Sequence, residues 1–253
     1  MIDTHCHLDY LNEPELDIRE LTALIAIGAD PEHAQAALAL SEQYENVYSV
    51  IGLHPTDTER DSPEIREQLE KWSDHPKVVG IGETGLDDHW KVPRPQQWAA
   101  FEWQLDWARR RNLPIVIHTR DAPGQEKASL DCADILKNAN WTKGVLHCCN
   151  GHVGLIEAGL GLGFYISFAG NLTYKNAKDI QSAAQHIPID RILLETDAPF
   201  LTPMPHRGKP NRPIHIRHTL NFLAHLRNSD PHELETMVDE NARRAFELPD
   251  EPR

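Results

Sequence analysis

The sequence is short of cysteine, short of basic charge and without a long apolar run, and each shortage removes a class of protein. Its four cysteines, Cys6, Cys132, Cys148 and Cys149, form no C-x-x-C pair, and the adjacent Cys148 and Cys149 are poorly placed to bridge each other. A disulfide framework is therefore not expected, and a reducing compartment suits the thiols. No apolar run approaches the ~18 residues of a membrane span. The first residues carry Asp3 and His5 where a secretory leader has basic and then apolar residues. Cytoplasmic residence away from membranes is the expectation. Lys and Arg total 25 against 39 Asp and Glu, a formal charge of −14, which argues against broad charge-driven contact with nucleic acid. Any such ligand must be gripped locally, and "HRGKPNR" (206–212) is a better grip than "RRR" (109–111), which lies in a helical stretch and reads as a solvated face.

What is present is an ordinary globular composition, 40% hydrophobic and 25% charged, over 253 residues. That length suits one α/β barrel of the usual ~250 residues, so a single domain over 1–253 is expected. Eight short β-rich runs are each succeeded by a polar or glycine-bearing turn: "MID", "TALIAI", "VYSVIGL", "VVGIG", "PIVIH", "GVLHC", "FYISFAG" and "ILLETD". Between them lie helix-compatible stretches such as "PEHAQAALALSEQY", "RPQQWAAFEWQLDWARRRN" and "NAKDIQSAAQHI". Strands alternating with helices along the whole chain predict a parallel sheet, and eight such units predict a closed (β/α)8 TIM barrel. "MID" is very short, and "TALIAI" also reads as the continuation of a helix. The chain ends in a proline-bearing acidic tail, "LPDEPR".

The residues that carry chemistry cluster at the strand ends. His5 and His7 come after the first strand, His54 after the third, and Glu83 after the fourth; His118 ends the fifth, His147 the sixth and Asp197 the eighth. In a barrel those ends share one rim. Singly, each histidine reads as a hydrogen-bonded loop residue, as His33, His75, His186 and His225 do. Together, His5, His7, Glu83, His118, His147 and Asp197 occupy the ends of five strands, with the nitrogen and carboxylate donors that first-row divalent metals bind. Four histidines and two carboxylates exceed one tetrahedral site. A bridging carboxylate and two ions about 3.5–4 Å apart is the natural reading. Glu195, two residues from Asp197, would either support the metal site or pair with a basic neighbour. Arg120 would hold a phosphate or, with Asp121, make an ion pair between loops. Cys6 should face away from His5 and His7, and thiol catalysis ranks well below metal hydrolysis.

The motifs "DTHCHLD", "IGLHP", "IGETGLD", "LPIVIHTRDA", "GVLHCCNG", "FYISFAGNLTYKN" and "LLETDAPFLTP" resemble, in order and approximate spacing, those of TatD-type metal-dependent hydrolases of the amidohydrolase superfamily. The resemblance runs from His5 to "NARRAF" near the end. It implies a metal-dependent deoxyribonuclease, commonly acting 3′ to 5′ on single strands. It further implies that His5, His7 and Asp197 hold one metal, that His118 and His147 hold the other, that Glu83 bridges or approaches both, and that His54 faces the substrate phosphate. "GETGLDDHW" and "HCCNG" depart from the family's usual wording, but not at ligand positions; they bear on substrate choice.

The expected reaction is phosphodiester hydrolysis by hydroxide held between two divalent ions, Mg, Mn or Zn, with Glu83 and Asp197 catalytic and Asp197 taking the proton. The expected substrate is single-stranded DNA, and the expected state a monomer. The same centre would serve a carbonyl, as in an amide or a D-aminoacyl-tRNA ester. A non-catalytic metal-bearing scaffold is the remaining reading.

Overall fold

A computed structural model describes residues 1–249; the last four residues of the acidic tail lie outside them. Eight parallel strands form one sheet in chain order: β1 (Ile2–Cys6), β2 (Ala23–Gly28), β3 (Val47–Ile51), β4 (Val78–Asp87), β5 (Ile115–Arg120), β6 (Gly144–Leu146), β7 (Tyr165–Phe168) and β8 (Ile192–Leu194). The helices are α1 (Pro14–Ile18), α2 (Pro31–Gln43), α3 (Pro63–Trp72), α4 (Arg94–Arg111), α5 (Lys127–Ala139), α6 (Val153–Gly161), α7 (Lys178–His186), α8 (Ile216–Arg227) and α9 (Pro231–Phe246). This is the expected (β/α)8 barrel. The doubtful "TALIAI" is a strand, buried at every position from Ala23 to Gly28.

Local chemistry sets these boundaries. Asp30, Ser62 and Asp230 accept amide bonds at the starts of α2, α3 and α9, each followed by proline at the first helical position. Asn112, Asn140 and Asn228 end α4, α5 and α8 in the left-handed conformation that asparagine tolerates.

Two apolar layers hold the barrel together. One lies between strands and helices and includes Leu24, Ile51, Phe101 and Trp107. The other fills the lower barrel with Ile2, Ile25, Ile27, Val50, Val116, Val145 and Leu193, and is closed underneath by Ala242, Phe246 and Leu248 at the end of the chain. Above this plug the interior is polar, and there the ligand-type residues converge.

No ladder joins β8 to β1. Closure runs instead through His7 N to Ala198 O (2.8 Å), Asp197 N to His5 O (2.9 Å), and Thr196, whose amide and hydroxyl donate to Asp3 at 3.0 and 2.6 Å.

Candidate metal centre

Three of the site residues sit deeper in their strands than the sequence implies. β1 runs through Cys6, so His5 lies within the strand rather than after it. β4 runs to Asp87, so Glu83 lies in mid-strand, and β5 continues two residues past His118. The reason is irregular pairing that alternation does not show. The register shifts between Asp3 and Cys6 in β1 and between Ile81 and Thr84 in β4. In β1 the shift turns His5 inward while Cys6 packs outside and its thiol meets Ile25 O. In β4 it accompanies Gly82 and Gly85, whose φ values are +138° and +141°. A Cβ at Gly85 would lie 2.0 Å from His118 O, so only glycine lets β4 and β5 approach this closely.

Glu83 is the hub. Its carboxylate lies 2.8 Å from His118 Nδ1, 3.3 Å from His5 Nε2, 3.3 Å from His147 Nε2 and 3.6 Å from His54 Nε2. Asp197 Oδ1 stands 3.4 Å from His7 Nε2 and 3.6 Å from His5 Nε2. His5 and His147 stack with centroids 3.6 Å apart. Spacings of ~3.3 Å are those between ligand atoms around a cation with ~2.0 Å bonds in tetrahedral geometry. Both ring nitrogens of His5 are buried without a hydrogen-bond partner, an arrangement that costs free energy unless an ion completes it. The donor set therefore fits divalent metal. Compact trios of possible ligands are His5, His7 and Glu83; His54, Glu83 and His118; and His5, His147 and Glu195.

Two further carboxylates stand behind the ring. Asp87 Oδ2 is 2.9 Å from His118 Nε2, and Glu195 Oε1 is 2.9 Å from His147 Nδ1, the latter off hydrogen-bond angle. Glu195 also accepts from Cys148 N at 2.7 Å. Asp87 is fixed by the amides of His89 and Trp90 and by Gln97, which brackets its backbone. A carboxylate behind a ligating imidazole sets its tautomer and orientation. Glu195 thus joins the site through a histidine. Asp87 is not evident from sequence although it belongs to "IGETGLD", because the apolar run "VVGIG" reads as a strand that ends at Gly82.

The electrostatics sort the groups. Burial works against charge at Glu83, yet the charge on His147 and the hydrogen bond to His118 hold its carboxyl well below the ordinary range. Burial likewise opposes charge at Asp197 and Asp87, but His7 lowers the first and His118 the second. Burial and neighbouring His147 lower His5, and burial with His118 lowers His54 to about 3, so both rings are neutral. At His147 burial disfavours the proton, but Glu195 and Glu83 outweigh it and raise the imidazole to about 10. At His118 and His7 the opposing burial is likewise overcome, by Asp87 and Asp197 respectively. Ion binding would displace the proton that His147 holds.

His54 stands beside the hub. Its Nδ1 lies 2.6 Å from Thr56 Oγ1 and 3.2 Å from Thr56 N, so Thr56 fixes the ring with Nε2 turned toward Glu83. Arg120 is not brought into the cluster. It is exposed, its side chain has no polar partner among the described residues, and Asp121 instead accepts from Ser129 at the start of α5, so the ion pair between loops is not formed. In "HRGKPNR", Arg212 is tied to Asp17 (3.1 Å) and Arg207 lies 4.1 Å over the Tyr174 ring. In "RRR", Arg110 and Arg111 pair with Glu70 and Asp74.

A family model described as "TatD related DNase" matches residues 2–247. The uncharacterized metal-dependent hydrolase YabD of Bacillus subtilis is 36% identical over 260 residues, covering 98% of this chain and 99% of the relative. A Salmonella typhimurium protein named 3′-5′ ssDNA/RNA exonuclease TatD is 34% identical over 232 residues, covering 89% and 87%. The crystal structure of YjjV, a TatD homologue from Escherichia coli, superposes with a TM-score of 0.91 at 30% identity, covering 98% of each chain.

Proposed function

The chain belongs to the TatD-related metal-dependent hydrolases, and we propose that it hydrolyses phosphodiester bonds of single-stranded DNA, as a 3′–5′ exonuclease. The observation that carries this reading is Glu83, one carboxylate facing four imidazole nitrogens at 2.8–3.6 Å, with Asp197 beside it. The named exonuclease activity of the Salmonella relative supports the choice of substrate.

His5, His7 and Asp197 would hold one divalent ion, His118 and His147 the other, with Glu83 between them. Bound there, Mg, Mn or Zn would supply positive charge to the phosphoryl oxygens and acidity to water. Asp87 and Glu195 orient His118 and His147. Asp197 keeps 14% of its side chain open to solvent, so its carboxylate is placed to orient the attacking water and accept its proton. His54, held in place by Thr56, is placed to face a substrate phosphate. The unpartnered guanidinium of Arg120, exposed at the end of β5, is suited to a neighbouring phosphate.

The test is incubation of the protein with 3′-labelled and 5′-labelled single-stranded DNA in EDTA, then with Mg, Mn or Zn restored. Release of the 3′ label as mononucleotide, lost in EDTA and regained with an ion, is the expected result. No release with any ion would overturn the nuclease reading and direct the same centre to carbonyl substrates such as a D-aminoacyl-tRNA ester.

A further inference from the structure

Large aromatic side chains left in water mark binding surfaces when they cluster. Among the described residues the exposed aromatics are Tyr10, Trp90 and Phe200, which are 42%, 57% and 49% exposed. None lies on an outer helix. They come after β1, β4 and β8, at the rim that holds the metal-ligand cluster.

Tyr10 and Phe200 form a corner against His7. The Tyr10 ring lies 5.3 Å from His7 at 19°. Phe200 stands edge-on, 5.8 Å from His7 at 76° and 6.2 Å from Tyr10 at 86°. Two ring planes at a right angle receive a flat heterocycle well, one by stacking and the other through an edge contact. Both walls are already held. Tyr10 Oη is 3.1 Å from His33 Nε2, and His33 in turn bonds Asp9. Phe200 N donates to Asp197 O, and Phe200 O accepts from Asn211 Nδ2, both at 2.7 Å. Little ordering cost remains for a ligand to meet.

We propose that the Tyr10–Phe200 corner is a nucleobase-stacking subsite for one of the two nucleotides that flank the scissile phosphate. This rests on the proposed nuclease activity. The corner touches His7, whose Nε2 is 3.4 Å from Asp197 Oδ1, so a base placed there belongs to a nucleotide at the reacting bond. Stacking tolerates any base because every base has a π-face, which suits an enzyme that removes nucleotides in succession. It also supplies affinity that a chain of net charge −14 cannot draw from a broad electrostatic field.

The experiment crosses enzyme and substrate changes. Nucleotide release is measured for the wild type, Tyr10→Ala, Phe200→Ala and Phe200→Leu, the last of which keeps apolar volume without a ring face. The substrates are an ordinary single strand and strands abasic at the terminal or the penultimate position. Each variant is expected to raise KM on the ordinary strand by about five- to a hundredfold, with a smaller change in kcat. One abasic position should cost the wild type a similar factor and cost the variants almost nothing more. Tyr10→Phe should retain that sensitivity. Independent, multiplying penalties at both positions would overturn the subsite while leaving the nuclease reading intact. Failure of the wild type to release nucleotide from the ordinary strand with any ion would defeat the reading on which the subsite rests.

Discussion

The amide of Asp197 donates to the carbonyl of His5 at 2.9 Å, while Asp197 Oδ1 lies 3.6 Å from His5 Nε2. Backbone and side chain thus couple the same two residues across about three quarters of the chain. Asp197 has φ +56°, a left-handed conformation that Asn shares readily with Asp. Asp197→Asn should therefore fold normally and keep much of its metal, while kcat falls about a hundred- to ten-thousandfold. Metal content and turnover on one preparation check this; full activity would remove Asp197 from proton transfer.

Glu83→Gln should do the reverse and act first on occupancy. The carboxylate is surrounded by imidazoles and almost wholly buried, so its loss removes the negative charge at the hub of the centre. Metal affinity should fall by more than the roughly 10- to 100-fold that loss of an outer-sphere partner costs. Titration of zinc or manganese into the chelated variant gives the number.

The metal-free protein should lose stability in alkali. His147 is raised from its ordinary value to about 10, so the stabilisation from its proton is complete below its unfolded pKa, near 6.5, and is lost as pH climbs toward 10. Burial pushes Asp3 up to about 8, against the hydrogen bonds from Thr196 and His5, and a buried acid raised in this way adds a loss of the same sign that runs from its ordinary value of 3.8 up to about 8 and overlaps that of His147 only below pH 8. Urea midpoints in EDTA at pH 6, 8 and 10 measure the slope. Glu195→Gln, which removes the largest attraction holding the His147 proton, should flatten it; an unchanged slope would exclude the pair as its source.

Gly85→Ala should damage fold and site together. The added Cβ would meet His118 O at 2.0 Å on a backbone with φ +141°. Strain of that kind costs about 1–3 kcal/mol before the overlap is counted, so destabilisation of about 3 kcal/mol or more is expected in urea. Weaker metal retention should accompany it, because β5 carries His118.

Much of the site is legible in the sequence because barrel topology turns strand ends into neighbours. Eight apolar runs in series are enough to place residues as far apart as His5 and Asp197 on one rim. Local irregularity is not legible. Nothing in "IGETGLD" announces that Gly82 and Gly85 allow β4 to continue to Asp87, so the carboxylate behind His118 is hidden from a reading of alternation. Alternation from Asp197 does point to Glu195, yet the left-handed Asp197 breaks that alternation, and Glu195 meets His147 from behind. Asp3 gives no sign in sequence that it binds Thr196 at the junction of the last strand and the first.

That junction has a mechanical meaning. Every other pair of neighbouring strands is zipped by a ladder, whereas β8 and β1 are fastened by a few bonds from His7, Asp197 and Thr196. The ion proposed for His5, His7 and Asp197 would lie across this fastening like the tongue of a buckle. Stripping it should then unclasp the ring at one known place, and the amides of His7 and Asp197 should be among the first at the rim to exchange with solvent.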